Sequence, residues 1–235
     1  MDAIAFWLPV VWAVLIATAV MMYVILDGFD LGIGILFPFA RNSADRDTMI
    51  DSIAPFWDGN ETWLILGGGG LWVAFPAAYA AIMPANYLPV IIMLLALIFR
   101  GVSFEFRAVS KPRHGGWTFA FSLGSIVAAF AQGVILGNLI TSVSGVSGGS
   151  ETLISQWSVP LGQELDRLVG LVTLPEWLSP FGILCGVGVV AGYALLGATW
   201  LIARTGGGLA EKSRRHARVL LVVILVFIVA VSLWT

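Results

Sequence analysis

Long apolar runs alternate with short polar stretches along this chain of 235 residues. Six runs approach the roughly 20 residues that a membrane-spanning helix needs. They cover residues 5–26, 62–83, 87–106, 117–141, 180–203 and 218–234. Helical spans satisfy every backbone hydrogen bond internally, whereas a membrane β-barrel shows alternating segments of about ten residues. The pattern therefore predicts an all-α, polytopic bundle of six transmembrane helices.

Composition supports a membrane protein and excludes a water-soluble domain. Apolar residues make up 59% of the chain and charged residues only 11%, whereas soluble domains carry about 25% charged residues. The single cysteine, Cys185, excludes an internal disulfide and a thiolate metal site. We therefore expect a lipid environment and no nucleic-acid partner.

Basic residues predict which end of the bundle faces the cytoplasm, because Lys and Arg in short loops are retained on that side. Eleven of the twelve lie at the end of or after span one, three or five, and only Arg167 lies elsewhere. The eleven are Arg41, Arg46, Arg100, Arg107, Lys111, Arg113, Arg204, Lys212, Arg214, Arg215 and Arg218. This distribution predicts that the N-terminus is outside.

The long segment between spans four and five divides the chain into three predicted parts. Residues 1–143 are expected to form a first four-helix transmembrane bundle, and residues 180–235 to supply two further spans. Residues 144–179 are expected to form an external loop. Its apolar and acidic stretch from Leu161 to Leu174 is compatible with an interfacial helix.

Charged residues gather at the predicted cytoplasmic ends of the first three spans. They are Asp27, Asp30, Asp58, Glu61, Arg100 and Glu105. Carboxylates are costly within a bilayer, so inward-pointing acids are functional candidates. A carboxylate beside another one can hold an exchangeable proton near neutral pH. The cluster thus predicts a proton-holding site, while an interfacial acidic turn, helix capping by Asp58 and a structural ion-pair network remain open alternatives.

Haem ligands are not evident in the predicted spans. The two histidines, His114 and His216, lie in predicted cytoplasmic loops, and no methionine stands opposite a histidine within a span. Haem iron is usually held by axial histidine, methionine or cysteine side chains. We therefore expect that this chain binds no haem or metal through its own ligands.

Three strings of residues carry a resemblance to a known family. They cover Leu26 to Gly34, Asp51 to Trp63 and Phe99 to Arg107. All three closely resemble subunit II of bacterial cytochrome bd-type quinol oxidases. Weaker similarity extends through 137–139, 179–182 and 197–200, so the resemblance covers nearly the whole chain.

The resemblance implies a subunit of a heterodimer or larger assembly in the bacterial inner membrane. Such an assembly oxidises quinol and reduces oxygen to water. The haems and the quinol site lie on the haem-bearing subunit I. Its haems are of b type together with either d-type or further b-type haem. Small accessory subunits are compatible with the assembly. The family has eight spans in two four-helix halves. Six spans here would leave the second half incomplete.

The resemblance also assigns roles to individual residues. Asp58 matches a carboxylate in a proton path from the cytoplasm toward the haems, with Trp57 and Asp27 or Asp30 nearby. Trp63 matches a tryptophan at the mouth of a hydrophobic oxygen route.

Three further charged residues complete the predicted site. Arg100 matches a basic residue near the same cluster. Glu61, one helical turn after Asp58, is expected to join the proton path. Glu105 is expected to pair with Arg100.

Two other functions remain open at this point. A proton-coupled transporter would use the acidic cluster and glycine-rich helices as its substrate path, and would show paired broken helices in matching halves. A purely scaffolding subunit would carry no proton traffic and would retain full oxidase turnover when Asp58 is neutralised.

Overall fold

Helices make up the regular structure of the part of the chain that the computed structural model describes, residues 3–40, 42–110, 115–146 and 177–234. Helix α1 spans Ala3–Leu36 and is followed by a short 3-10 helix at Phe37–Phe39. Helices α2 to α5 are Ser43–Ile53, Trp57–Ala74, Pro76–Ala85 and Tyr87–Val109. Helices α6 to α8 are Gly115–Val146, Pro180–Arg204 and Gly207–Trp234. The predicted all-α class is confirmed.

Five of these helices are long and apolar enough to cross a membrane, namely α1, α5, α6, α7 and α8. The second predicted span, 62–83, instead forms the two helices α3 and α4, which meet at Phe75. Pro76 opens α4, and a proline has no backbone N–H with which to continue the α3 hydrogen-bond ladder. The count of six spans is therefore not confirmed, and the external N-terminus stays a prediction.

Helix α1 is longer than its predicted span. Polar residues after position 26 suggested an interfacial turn, but the helix continues unbroken to Leu36. Residues 27–37 are all buried, whereas most side chains of the first half of α1 are exposed. The carboxylates of Asp27 and Asp30 thus lie inside the bundle.

Helices α1, α6 and α7 pack against one another and form the centre of the bundle. Helix α3 packs on the outer side of α1, α5 on α6, and α8 on α7. Glycines permit the closest approaches, because small residues let helix backbones meet in lipid. Gly32 of α1 faces Gly197 of α7, and Gly133 of α6 faces Gly186 of α7.

Polar contacts tie the helices together at the predicted cytoplasmic end. Arg107 of α5 pairs with Asp47 of α2 at 2.7 Å, and Lys212 of α8 pairs with Asp45 of α2 at 2.7 Å. The short helix α2, which the hydrophobic pattern did not predict, therefore joins α5 to α8. Its first turn is capped by Asn42, whose side-chain oxygen accepts a hydrogen bond from the Asp45 backbone N–H at 2.6 Å.

Several predictions fall on residues outside the described part of the chain. These include the loop stretch from Leu161 to Leu174, most of the external segment, and the residues Arg41, Lys111, Arg113, His114 and Arg167. The division into parts at 143 and 180 stays a prediction. Within the described residues, α7 packs directly on both α1 and α6.

Candidate functional site

Two carboxylates lie in the most buried stretch of α1. Asp27 and Asp30 are three residues apart, so they share one helix face. Both are 0% exposed. Acidic side chains are rare in membrane-spanning helices and mark functional sites by default when they point inward. This pair is therefore the starting point of the candidate site.

Arg100 of α5 is the cation of the site. Its side chain is 1% exposed, and Nη1 lies 2.5 Å from Glu61 Oε1 and 3.7 Å from Asp27 Oδ1. The guanidinium also stands 5.8 Å from the centre of the Phe121 ring of α6. A single buried guanidinium thus contacts acids from two other helices, α1 and α3.

Asn60 of α3 holds the second acid of α1. Its side-chain amide donates a hydrogen bond to Asp30 Oδ2 at 2.6 Å and reaches the Leu26 carbonyl oxygen at 3.4 Å. Sequence reasoning missed Asn60, because it considered only the charged residues of the string from Asp51 to Trp63. The amide carries no charge that marks it, and its role depends on the packing of α3 against α1, which the sequence alone does not show.

We call these five residues the carboxylate cluster: Asp27, Asp30, Asn60, Glu61 and Arg100. Two carboxylates, Asp27 and Glu61, pair with the guanidinium, and Asp30 is held by Asn60. With three acids and one cation, the cluster is negative when all of its acids are ionised. Both oxygens of Asp27, Oδ1 of Asp30, and Nε and Nη2 of Arg100 make no hydrogen bond within the described chain. Buried polar atoms are normally hydrogen-bonded. The cluster therefore has unused capacity to bind protons or water.

Asp58 lies at the edge of this cluster. It occupies the first turn of α3, one turn before Glu61, and its side chain is exposed. Phe56 rather than Asp58 occupies the N-cap position, so the capping alternative does not describe this helix. Glu61, whose side chain is 24% exposed, is intermediate in burial between Asp58 and the buried acids of α1. Burial of the carboxylates thus increases from Asp58 through Glu61 to the two acids of α1.

Glu105 is not brought into the cluster. It lies five residues after Arg100 on α5, and five residues turn a helix by about 140°. Its side chain is exposed, and within the described residues Arg100 pairs with Glu61 and Asp27 instead. The expected pairing of Arg100 with Glu105 is therefore replaced by one with α3 and α1.

The two predicted tryptophans, Trp57 and Trp63, lie at different positions along α3. Trp57 is half-buried, and its ring centre lies 5.1 Å from that of Phe104 on α5, close to Gly101. Trp63 is half-buried on α3, further toward the middle of the bundle. Phe29, which lies between Asp27 and Asp30 in the chain, stacks on Trp200 of α7 at 4.0 Å. Aromatic pairs thus join α3 to α5 and α1 to α7 next to residues of the cluster.

The side chains of the described site are acid–base groups rather than a grouped set of metal ligands. Among the described residues, no three His, Cys, Asp or Glu side chains are grouped so that they could hold a metal ion. His216, expected in a cytoplasmic loop, instead lies within α8 beside Phe39, with ring centres 5.9 Å apart. The chemistry that the described residues offer is that of carboxylates, an amide and a guanidinium, which suits proton binding.

Comparison with known proteins places the chain in a family. A family model described as cytochrome bd terminal oxidase subunit II matches residues 8–235. The chain is 36% identical over 227 residues to cytochrome bd-I ubiquinol oxidase subunit 2 of Escherichia coli (strain K12), covering 95% of this chain and 56% of that protein. It is 31% identical over 225 residues to cytochrome bd ubiquinol oxidase subunit 2 of Bacillus subtilis (strain 168), covering 93% and 60%.

A third relative agrees with these two. The probable cytochrome oxidase subunit 2 of Haemophilus influenzae (strain ATCC 51907 / DSM 11121 / KW20 / Rd) is 31% identical over 232 residues, covering 97% of this chain and 57% of that protein. The chain thus spans a little over half the length of the curated relatives that it matches. Because the family model matches nearly every residue, the chain belongs to the cytochrome bd terminal oxidase subunit II family.

Proposed function

We propose that this chain is a non-haem-bearing membrane subunit of a bacterial cytochrome bd-type quinol oxidase, and that it delivers protons to the site of oxygen reduction. In this proposal it assembles in the inner membrane with a haem-bearing subunit I. Small accessory subunits are compatible with that assembly. The haems of that partner would carry out the reduction of oxygen, with electrons that come from quinol. The family membership supports this assignment, and the carboxylate cluster supports the role in proton delivery.

The single observation that carries the proposal is the graded burial of the acids. Asp58 is exposed at the start of α3, Glu61 is partly exposed one turn further, and Asp27 and Asp30 are fully buried beyond it. Reduction of oxygen to water consumes protons, and carboxylates are suitable carriers for them. A proton taken up by Asp58 would pass to Glu61 and then to the α1 carboxylates.

Arg100 would be the cation that partly compensates the carboxylates of this path. A guanidinium is always protonated, so it favours ionised carboxylates next to it. One cation cannot compensate two buried carboxylates and the partly exposed Glu61, which leaves the cluster able to take up protons from the surface side. Drawing these protons from the cytoplasm, while quinol releases its protons outside, would make the reaction electrogenic.

A change at Asp58 tests the proposal. Asp58→Asn is nearly isosteric and lies at the surface, so the assembled complex should keep its haem content. Oxygen consumption should fall by about 10²- to 10⁴-fold if proton transfer limits the rate, and Asp58→Glu should lose much less. Asp51→Asn, a change at an exposed acid of α2, is the matched control and should retain the wild-type rate.

Unchanged oxygen consumption and proton uptake in Asp58→Asn would contradict the proposal and favour a scaffolding subunit. Proton-coupled transport by this chain alone would favour the transporter. The proposed oxygen route at Trp63 has its own signature, because a smaller side chain there should alter the dependence on oxygen concentration rather than on pH.

A further inference from the structure

A second polar group lies deeper in the bundle than the carboxylate cluster and joins the three central helices. The Gln132 side-chain amide of α6 donates to the Tyr23 hydroxyl of α1 at 2.7 Å. The Tyr193 hydroxyl of α7 donates to the Gln132 side-chain carbonyl oxygen, also at 2.7 Å. Both tyrosines are buried. We call Tyr23, Gln132 and Tyr193 the tyrosine relay.

The hydrogen bonds of the tyrosine relay run, from donor to acceptor, toward Tyr23, the member of the relay nearest to Asp27 along α1. Each of its two hydrogen bonds has its donor on the Tyr193 side and its acceptor on the Tyr23 side. Tyr23 accepts from Gln132, so its own hydroxyl hydrogen is left to donate elsewhere. Tyr23 lies four residues before Asp27 on α1, so the two side chains share one face of that helix.

Asp27 is the acid of the cluster that most needs such a donor. Glu61 has the close contact with Arg100 at 2.5 Å, and Asp30 has the hydrogen bond from Asn60 at 2.6 Å. Asp27 is 3.7 Å from Arg100, and neither of its oxygens is hydrogen-bonded within the described chain. Each of the other two carboxylates thus has a partner of its own.

We propose that the tyrosine relay positions the Tyr23 hydroxyl as the hydrogen-bond donor that stabilises the ionised form of Asp27. Tyr23 donates to Asp27 when the carboxylate is ionised and releases it when the carboxylate takes up a proton. Gln132 and Tyr193 are positioning residues, because they act through Tyr23. The inference deepens the proposed function and rests on it, since it assigns to α6 and α7 a part in proton delivery.

The charged and titratable groups around Asp27 come from four helices. Asp30 and Tyr23 lie on α1, Glu61 on α3, Arg100 on α5 and Tyr193 on α7. The helix that contributes no titratable group here, α6, contributes Gln132. A change at Gln132 therefore alters the surroundings of Asp27 without adding or removing a charge.

The tyrosine relay could instead be only a structural link between helices. Interhelical hydrogen bonds stabilise helix bundles in membranes, so both interpretations predict a loss of stability in Gln132→Met. They differ in pH dependence. A hydrogen bond to a charged group contributes about 1.5 to 3 kcal/mol, which corresponds to a shift on the order of one pH unit.

The test measures the pH profile of oxygen consumption by the assembled complex. Tyr23→Phe and Gln132→Met should both move the profile by on the order of one pH unit, in the same direction, and the double variant should move it no further than Tyr23→Phe. Asn86→Leu is the matched control. It removes another buried interhelical hydrogen bond, the one that Asn86 Oδ1 accepts from Asn138 at 3.3 Å, and should leave the profile in place.

A second comparison uses the background variant Asp27→Asn. There, Gln132→Met should produce no further shift, because the group that the tyrosine relay serves is already neutral. If Asp27→Asn slows turnover but Tyr23→Phe leaves the pH profile unchanged, the inference is overturned while the proposed function stands. If Asp27→Asn itself leaves turnover and proton uptake at wild-type values, the proposed function fails instead.

Discussion

At the residue scale, Arg100 of α5 pairs with acids of two other helices. Its guanidinium is buried and pairs with Glu61 of α3 and Asp27 of α1, although it belongs to α5. Burying charge is tolerated only when the charge is paired. Neutralising Arg100 would therefore leave its acidic partners without a counter-charge inside the bundle.

We predict that Arg100→Gln destabilises the folded chain by about 3 to 5 kcal/mol, the usual cost of removing one partner from a buried ion pair. Combining it with Glu61→Gln should recover part of that loss, because the double variant buries one uncompensated charge fewer. Denaturant unfolding of the purified protein in detergent measures both effects. Arg100→Gln with wild-type stability would show that the pairing contributes nothing.

The sequence reveals the charges of the site better than it reveals their partners. The motif residues Asp27, Asp30, Glu61 and Arg100 were all predicted as one cluster, because charged residues stand out in apolar helices. Asn60 and Gln132 were missed. An amide carries no such signal, and its role depends on which helix faces it in the folded bundle.

At the element scale, the central contact is the crossing of α1 and α7. A Cβ atom on Gly197 would meet the backbone of Gly32 and Ile33, whereas a Cβ atom on Gly192 of the same helix meets nothing within 4 Å. Both glycines stand in the apolar run of α7, and the sequence alone does not distinguish their surroundings. The difference arises from the helix rotation, which the contacts of the whole bundle determine.

Alanine substitutions on α7 test this crossing. Gly197→Ala should lower stability by about 1 to 3 kcal/mol, because the two backbones must move apart to accommodate the methyl group. Gly192→Ala should be neutral or stabilising by about 0.5 to 1 kcal/mol, since alanine favours the helix. The midpoints of thermal unfolding give the comparison. Equal effects at the two positions would contradict the described crossing.

The helix boundaries show where the hydrophobic pattern is a poor guide. Polar residues ended the first predicted span at position 26, yet α1 continues to Leu36, because Arg100 and Asn60 face its two acids inside the bundle. The second predicted span is continuous in hydropathy, yet it is divided at Pro76. Hydropathy measures the free energy of transferring a side chain into lipid. It does not report which buried polar groups find a hydrogen-bond or ion-pair partner on a neighbouring helix.

At the scale of the whole molecule, the described basic residues gather with α2 at one end of the bundle. Contacts of Arg107 and Lys212 with α2 bring the end of α5 and the start of α8 together there. The positive-inside rule predicts that this end faces the cytoplasm. The carboxylate cluster lies toward the same end, so the orientation decides from which side protons would come.

Cysteine labelling tests the orientation. In a Cys185→Ala background, a cysteine placed at position 114 should react only with reagents applied from the cytoplasm, and a cysteine at position 150 only with reagents applied outside. The 11-to-1 distribution of basic residues is the physical reason. Reversed accessibility would place the surface acid Asp58 on the outer side and remove the proposed cytoplasmic source of protons.

The most direct test of proton delivery through the carboxylate cluster is the rate of proton uptake from the cytoplasmic side during an oxygen pulse. It is measured on the assembled complex carrying Asp27→Asn and normalised to haem content. The amide is nearly isosteric with the carboxylate but cannot carry a proton, so uptake should slow by about 10²- to 10⁴-fold where that step limits the rate. Uptake at the wild-type rate, with wild-type haem content, would contradict proton delivery through this cluster.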